Sequence, residues 1–147
     1  MQRQTSRAGF TLIELMVVIV VIGILATLGI SSYMNMQSRS KEARVKGNCH
    51  TVQLTAEDFS IQNNGVYAAD LGTALMTGET MIDLLPGGAQ LQNPFTRATT
   101  EPIAGPAAAV GQTGYSSVDP DGDGNPDGYA VTGYGENQLI LTVTSGQ

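Results

Sequence analysis

The chain has 147 residues, 41% hydrophobic and 14% charged, with a formal net charge of −6 and six prolines, all of them between Pro86 and Pro126. So acidic a balance excludes nucleic acid as the main partner, because phosphate recognition needs a basic face. The single cysteine, Cys49, excludes an intramolecular disulfide, and with only His50 beside it there is no Cys/His cluster for zinc.

In chain order, the first element is the apolar run Phe10–Ile30, preceded by Arg3 and Arg7 and carrying one charge, Glu14. As a helix it is about 31 Å long, enough for a bilayer core of about 30 Å. A secretory signal would have a shorter core and a small-residue cleavage site, of which Ala26-Thr27-Leu28 is a poor version. A plain single-span anchor explains the length but leaves Glu14 without a purpose. An acid near the centre of such a helix costs about 2.5–3.5 kcal/mol, and an acid in a span usually has a partner. A cut between Gly9 and Phe10 would supply one: the free α-ammonium of Phe10 would stand one turn from Glu14, in its own subunit or in a neighbour.

"GFTLIELMVVIVVIGILA", residues 9–26, closely resembles the amino-terminal signature of type IV pilins and of the pseudopilins of type II secretion. The resemblance implies that a prepilin peptidase cuts after Gly9 and N-methylates Phe10, and that Glu14 is needed for subunits to join a filament. Methylation of an amine keeps its charge, so the proposed ion pair would survive it. The resemblance also implies a cytoplasmic leader and a periplasmic head. A simple count of positive charge points the other way, because Arg39, Lys41, Arg44 and Lys46 follow the span and outnumber Arg3 and Arg7. Many members of the family have a helix-loosening proline at the position of Ser31; this chain has Gly29-Ile30-Ser31-Ser32.

Beyond the span, Val45, Cys49, Val52, Ala56 and Phe59 recur at spacings of four and three, giving an apolar stripe on a continuing amphipathic helix. "QNNGV", residues 62–66, stops it with Asn/Gly chemistry. The expected fold is α+β and pilin-like: one helix from near Phe10 to about Asn63, packed on a small C-terminal antiparallel sheet. Four segments follow: a cleaved leader 1–9, a membrane or filament-core helix 10–30, its amphipathic half 31–63, and a loop-rich head 64–147. Within the head the pattern predicts one short helix, Glu79–Leu85, and strands Tyr115–Val118, Tyr129–Thr132 and Leu139–Thr144. The last alternates, with Leu139, Leu141 and Val143 on one face.

Between two of these strands lies "DPDGDGNPDG", residues 119–128. Asp119, Asp121, Asp123 and Asp127, with the main-chain carbonyl of Asn125, match the first positions of a Ca²⁺ loop, but Ala130 stands where the bidentate Glu belongs. The alternative is a turn built of Asp-Gly and Asn-Pro. Four acids within nine residues repel one another without a cation, so Ca²⁺ is the expected cofactor. Major pseudopilins, by resemblance, bind calcium in a loop between C-terminal strands.

His50, Asp58 and Ser60 have no accompanying nucleophile turn or oxyanion loop, so no enzyme is expected. Cys49 falls on the apolar stripe and reads as core. The basic residues 39–46 read as a solvated face. The functional expectation is a structural subunit of a type IV filament, major pilin-like. Its expected partners are identical subunits, the prepilin peptidase and N-methyltransferase, the inner-membrane assembly machinery, and minor pilins or pseudopilins. The alternatives are the major pseudopilin of a type II secretion system and a non-polymerising, membrane-anchored calcium-binding domain.

Overall fold

The computed structural model describes residues 9–145; the leader residues 1–8, Arg3 and Arg7 among them, lie outside the described residues. The chain divides into two compact units, Met1–Gln37 and Ser38–Gln147. A single helix, α1 (Leu12–Gln62), contributes to both. The chain before Pro86 holds no proline to interrupt it, and Gly29-Ile30-Ser31-Ser32 stays helical. At its end, Asn64 takes a left-handed φ of 57° and the Gly65 N–H reaches back to the Ser60 carbonyl at 2.8 Å. That is the capping geometry expected of an Asn-Gly stop.

In the first unit every described residue of α1 is exposed. The second unit has its own core. All five residues of the stripe, Val45, Cys49, Val52, Ala56 and Phe59, are fully buried. They pack against Tyr115, Tyr129 and Val131 from the sheet and against Leu71, Leu75, Met81 and Leu85 from the connecting segment.

Among the described residues six strands follow α1: β1 (Leu91–Gln92), β2 (Thr99–Glu101), β3 (Ile103–Ala104), β4 (Thr113–Val118), β5 (Gly128–Tyr134) and β6 (Leu139–Thr144). β1 and β2 form a small antiparallel pair, and the larger sheet has the order β3-β4-β5-β6. The three predicted strands are β4, β5 and β6, with β4 and β5 slightly longer than expected. The sheet is mixed rather than wholly antiparallel, because β3 pairs parallel to β4.

Two expectations are corrected. Residues Glu79–Leu85 form no helix: Thr80 makes an isolated antiparallel bridge to Ala74, and residues 81–84 follow as a turn. The Thr80 N–H and hydroxyl both donate to Asp83 Oδ2, at 2.8 and 2.7 Å, as if to start a helix. Pro86 follows at once, and it disfavours α geometry at Leu85 before a costly nucleus can be extended. In β6, the pairings Gly133↔Leu141 and Tyr134↔Leu139 leave Ile140 as an extra residue. A one-residue bulge reverses the facing of what lies beyond it. Val143 is therefore buried while Leu139 is 49% exposed, and Ile140 packs on the core instead.

Polar anchors fix the helix and loops to the sheet. Glu57 accepts the Tyr129 hydroxyl at 2.7 Å and the Tyr67 hydroxyl at 3.1 Å. Burial and the adjacent Glu57 carboxylate both push the Tyr129 phenol upward. Glu101, only 1% exposed, accepts from Asn93 Nδ2 and from the Thr113 N–H, tying β2 to β4.

Helix and sheet meet closely at Gly133. A Cβ there would lie 2.7 Å from Cys49 Sγ and 3.1 Å from Val45 Cγ1, so the residue must be glycine for β5 to approach α1. Gly133→Ala is expected to destabilise the head by about 1–3 kcal/mol through overpacking. Adding Cys49→Ala should recover much of that loss, as read by denaturant unfolding followed through the tyrosine signal.

Candidate functional site

Two clusters of functional residues can be built from the chain upward. The first is the entry to α1. Gly9 and Phe10 precede the helix, and Phe10 is exposed. Thr11 is the N-cap. Its N–H and its hydroxyl both donate to Glu14 Oε2 at 2.9 Å, and the Glu14 N–H donates back to Thr11 Oγ1 at 3.3 Å. This is a reciprocal capping box, which satisfies donors that the first turn of any helix leaves free. The role of Thr11 was readable as Thr-x-x-Glu before an apolar run, but the pattern is hidden behind the charge of Glu14. Phe10, Ile13, Glu14, Val17 and Val18 line one shallow apolar depression, which brings Phe10 and Glu14 to the same patch. From Phe10 through Met36 the large side chains are exposed, and α1 is long and apolar enough to cross a membrane.

The second cluster is the loop between β4 and β5. Asp119, Asp121 and Asp123 converge, each offering one carboxylate oxygen within 4.8 Å of the others. The loop winds around Asp119, whose Oδ1 accepts the Gly122 N–H at 2.8 Å and whose Oδ2 accepts the Gly124 N–H at 3.0 Å. Gly122 and Gly124 have φ of 71° and 88°, a left-handed conformation that glycine adopts without strain. The Asn125 N–H and side-chain amide both donate to Asp123, at 2.7 and 3.2 Å. Asp127 falls outside the converging group. Just before it, the Pro126 carbonyl accepts the Tyr67 N–H at 3.1 Å, which turns the chain toward the end of α1. Three converging carboxylates are hard oxygen donors that suit Ca²⁺. The same carboxylates also serve as turn formers, so their presence has a structural cause as well.

The other sequence candidates do not assemble into a site. His50 is exposed and its Nδ1 contacts Gln53, while Asp58 accepts from Gln62 and Ser60 is buried. These partners leave no relay among the three. Cys49 is wholly buried, and burial pushes its thiol up to about 11. It is a core residue, closed to a bond between subunits. Of the basic residues, Lys41 sits 5.2 Å from the centre of the Phe95 ring, and Arg39, Arg44 and Lys46 are exposed.

Comparison with known proteins gives a consistent family. A family profile for the prokaryotic N-terminal methylation motif matches residues 4–30. The type IV major fimbrial protein FimA of Dichelobacter nodosus is 31% identical over 125 residues, covering 83% of this chain and 70% of FimA. The type IV major pilin protein PilA of Myxococcus xanthus (strain DK1622) is 43% identical over 51 residues, 35% of this chain and 23% of PilA. Core protein G of a type II secretion system from Pseudomonas aeruginosa is 36% identical over 63 residues, 43% of this chain and 44% of that protein. No solved structure matches.

Backbone donors hold the Asp119 carboxyl below its ordinary range, the Gly124 N–H contributing most. A depressed carboxyl stabilises the loop above the ordinary aspartate range, and that contribution disappears as pH falls through the lowered value. In an NMR titration, the Gly122 and Gly124 amides are therefore expected to shift with a midpoint below that of an unperturbed aspartate. A midpoint at or above the ordinary value would contradict the hydrogen-bonded loop.

Proposed function

The chain belongs to the type IV pilin family, and we propose that it is a structural subunit of a type IV filament, major pilin-like, processed at Gly9–Phe10 and assembled through α1. The observation that carries this reading is the contrast along α1. From Val45 to Phe59 one face of it is sealed in the core of the head, while from Phe10 to Met36 its apolar side chains are exposed. Such a surface must be covered by lipid before assembly and by other copies afterwards.

The prepilin peptidase and N-methyltransferase would act at Gly9 and Phe10, within the span of the methylation motif. The new α-ammonium of Phe10 would then face the carboxylate of Glu14 on a neighbouring subunit, fixing register in the helical bundle. The inner membrane would hold the subunit as a single-pass protein with its head in the periplasm. Assembly machinery and minor subunits would extract and stack it. The role is structural, and no catalytic step is assigned to any residue. The likeness to the secretion core protein favours a second reading, a pseudopilus subunit that drives protein export, which shares the same processing and assembly chemistry.

The test has two arms on the natural protein. Mass spectrometry of the mature chain should find N-methylated Phe10 at its amino terminus. Glu14→Leu should remain in the membrane yet reduce filament yield by well over a factor of about ten, because the partner ammonium is left unpaired in an apolar bundle. A mature chain that keeps residues 1–9, or normal filament yield from Glu14→Leu, would refute the assembly role.

For the acidic loop, we infer weak Ca²⁺ binding by Asp119, Asp121 and Asp123, with the Asn125 carbonyl and Asp127 as the further oxygens that the spacing nominates. The convergence of the three carboxylates supports it. Millimolar Ca²⁺ should raise the unfolding temperature of the full-length protein, and Asp121→Asn should remove that gain while the basal value stays nearly unchanged. Equal gains in the two proteins, or none in the natural one, would leave only the turn.

A further inference from the structure

Asn64 is the one asparagine of the sequence that precedes a glycine, Gly65. An asparagine carries an electrophilic carbon, Cγ, within reach of the main-chain nitrogen of the next residue. When that nitrogen gives up its proton and attacks, the N–Cγ bond forms, the Cγ–Nδ2 bond breaks, and Nδ2 leaves as ammonia with the proton. Water then opens the resulting cyclic imide at Cγ, giving aspartate, or at the main-chain carbonyl, giving isoaspartate. A glycine in the next position puts no side chain in the way. The other asparagines are less suited. Asn93 and Asn125 precede Pro94 and Pro126, whose nitrogens carry no proton. Asn35 and Asn48 lie inside α1, where the next amide is held in the helical ladder. Asn63 and Asn137 precede residues with side chains, Asn64 and Gln138.

The surroundings of Asn64 leave the reacting groups open yet hold them apart. Asn64 and Gly65 are exposed, and nothing beyond its chain neighbours lies within 4 Å of where a Cβ on Gly65 would stand. Asn63 by contrast is half-buried, and its Nδ2 donates to the Val66 carbonyl at 3.1 Å. The restraint on Asn64 is the cap itself. With Asn64 at a φ of 57°, the Gly65 N–H points back along α1 to the Ser60 carbonyl at 2.8 Å. For the Gly65 nitrogen to turn onto Asn64 Cγ, the peptide between them must rotate, which breaks that bond. The chain just beyond is strapped as well. The Tyr67 N–H donates to the Pro126 carbonyl at 3.1 Å, and its hydroxyl donates to Glu57, also at 3.1 Å. Attack therefore waits for the last turn of α1 to open against its strap.

Reaction at this point alters the cap. Either product puts a carboxylate at the C-terminal end of α1, where the helix dipole disfavours negative charge and where Glu57 and Asp58 already stand. Isoaspartate also lengthens the main chain by a methylene carbon, so the Gly65 N–H loses its register with the Ser60 carbonyl.

We propose that Asn64 is a spontaneous deamidation site gated by the C-terminal cap of α1. Closed, the cap keeps the Gly65 nitrogen off Asn64 Cγ; each opening brings the pair within reach, and the carboxylate that forms weakens the cap that held it. The inference is independent of the filament reading, because every atom involved belongs to one head.

The experiment holds the full-length protein in mild detergent at mildly alkaline pH. Samples are digested at intervals, and mass spectrometry separates asparagine, aspartate and isoaspartate at each position. Asn64 is expected to convert before any other asparagine, and at least about tenfold more slowly than in the same protein unfolded in urea. Hydrogen exchange of the Gly65 amide reports the opening directly, so its protection should match that slowing to within about threefold. Tyr67→Phe removes the bond to Glu57 and leaves the reacting atoms in place, so conversion should quicken about threefold to tenfold. Asn64→Gly keeps the left-handed cap without an amide. Its unfolding temperature should stay constant over an incubation that lowers that of the natural protein. Earlier conversion of another asparagine would overturn the site. Conversion in the folded protein as fast as in urea, a Gly65 protection unrelated to the slowing, or no quickening in Tyr67→Phe would overturn the gate. An unfolding temperature that survives conversion unchanged would overturn the weakening of the cap.

Discussion

The head depends on a single seam, the stripe Val45-Cys49-Val52-Ala56-Phe59 pressed on Tyr129, Val131 and Gly133. Short strands and many turns give this unit little regular structure besides α1, so most of its apolar burial gathers along that line. The seam tolerates no extra atom at Gly133, and its fully buried cysteine is an inert packing group rather than a reactive one. Glu57 takes two tyrosine hydroxyls, so the polar tips of the buried Tyr129 and the half-buried Tyr67 are satisfied.

The same helix meets two different demands. In the head it is amphipathic, with one buried face. Toward its start it is apolar on all sides, and no part of its own unit covers it. A helix hydrophobic all round belongs in lipid or in the centre of an assembly. Type IV filaments need both states in one polypeptide, and α1 supplies them without a break at Gly29 or Ser31.

How much of this was legible in the sequence follows from where periodicity operates. The helix and its buried stripe could be read residue by residue, because a proline-free stretch with a 3.6-residue repeat admits few other structures. β6 was legible except at Ile140, where a bulge ended the alternation. Residues 66–112 were not legible, because their core residues Leu71, Leu75, Met81 and Leu85 sit in turns without a regular period and their polar residues bond across the chain. Glu101 and Asn93 look like surface residues in the sequence, yet they are buried and bonded to one another. The parallel pairing of β3 with β4 has no local signature at all. Of the acidic loop, the alternation of Asp119, Asp121 and Asp123 predicted their convergence, while Asp127 lies outside it, next to a Pro126 carbonyl that accepts the Tyr67 N–H. Glu14 stands out by its charge, which masks the Thr-x-x-Glu pattern of its cap to Thr11.

That cap has a consequence for timing. The Thr11 N–H belongs to the peptide bond after Phe10, so a cut between Gly9 and Phe10 leaves it untouched, and Oε2 of Glu14 stays pinned by two donors. A carboxylate held in this way has already lost its rotational freedom, so an ammonium from a neighbour would meet an acceptor already fixed in direction. On the proposed assembly, part of the entropy of docking would be settled in the first turn of each monomer before it meets another.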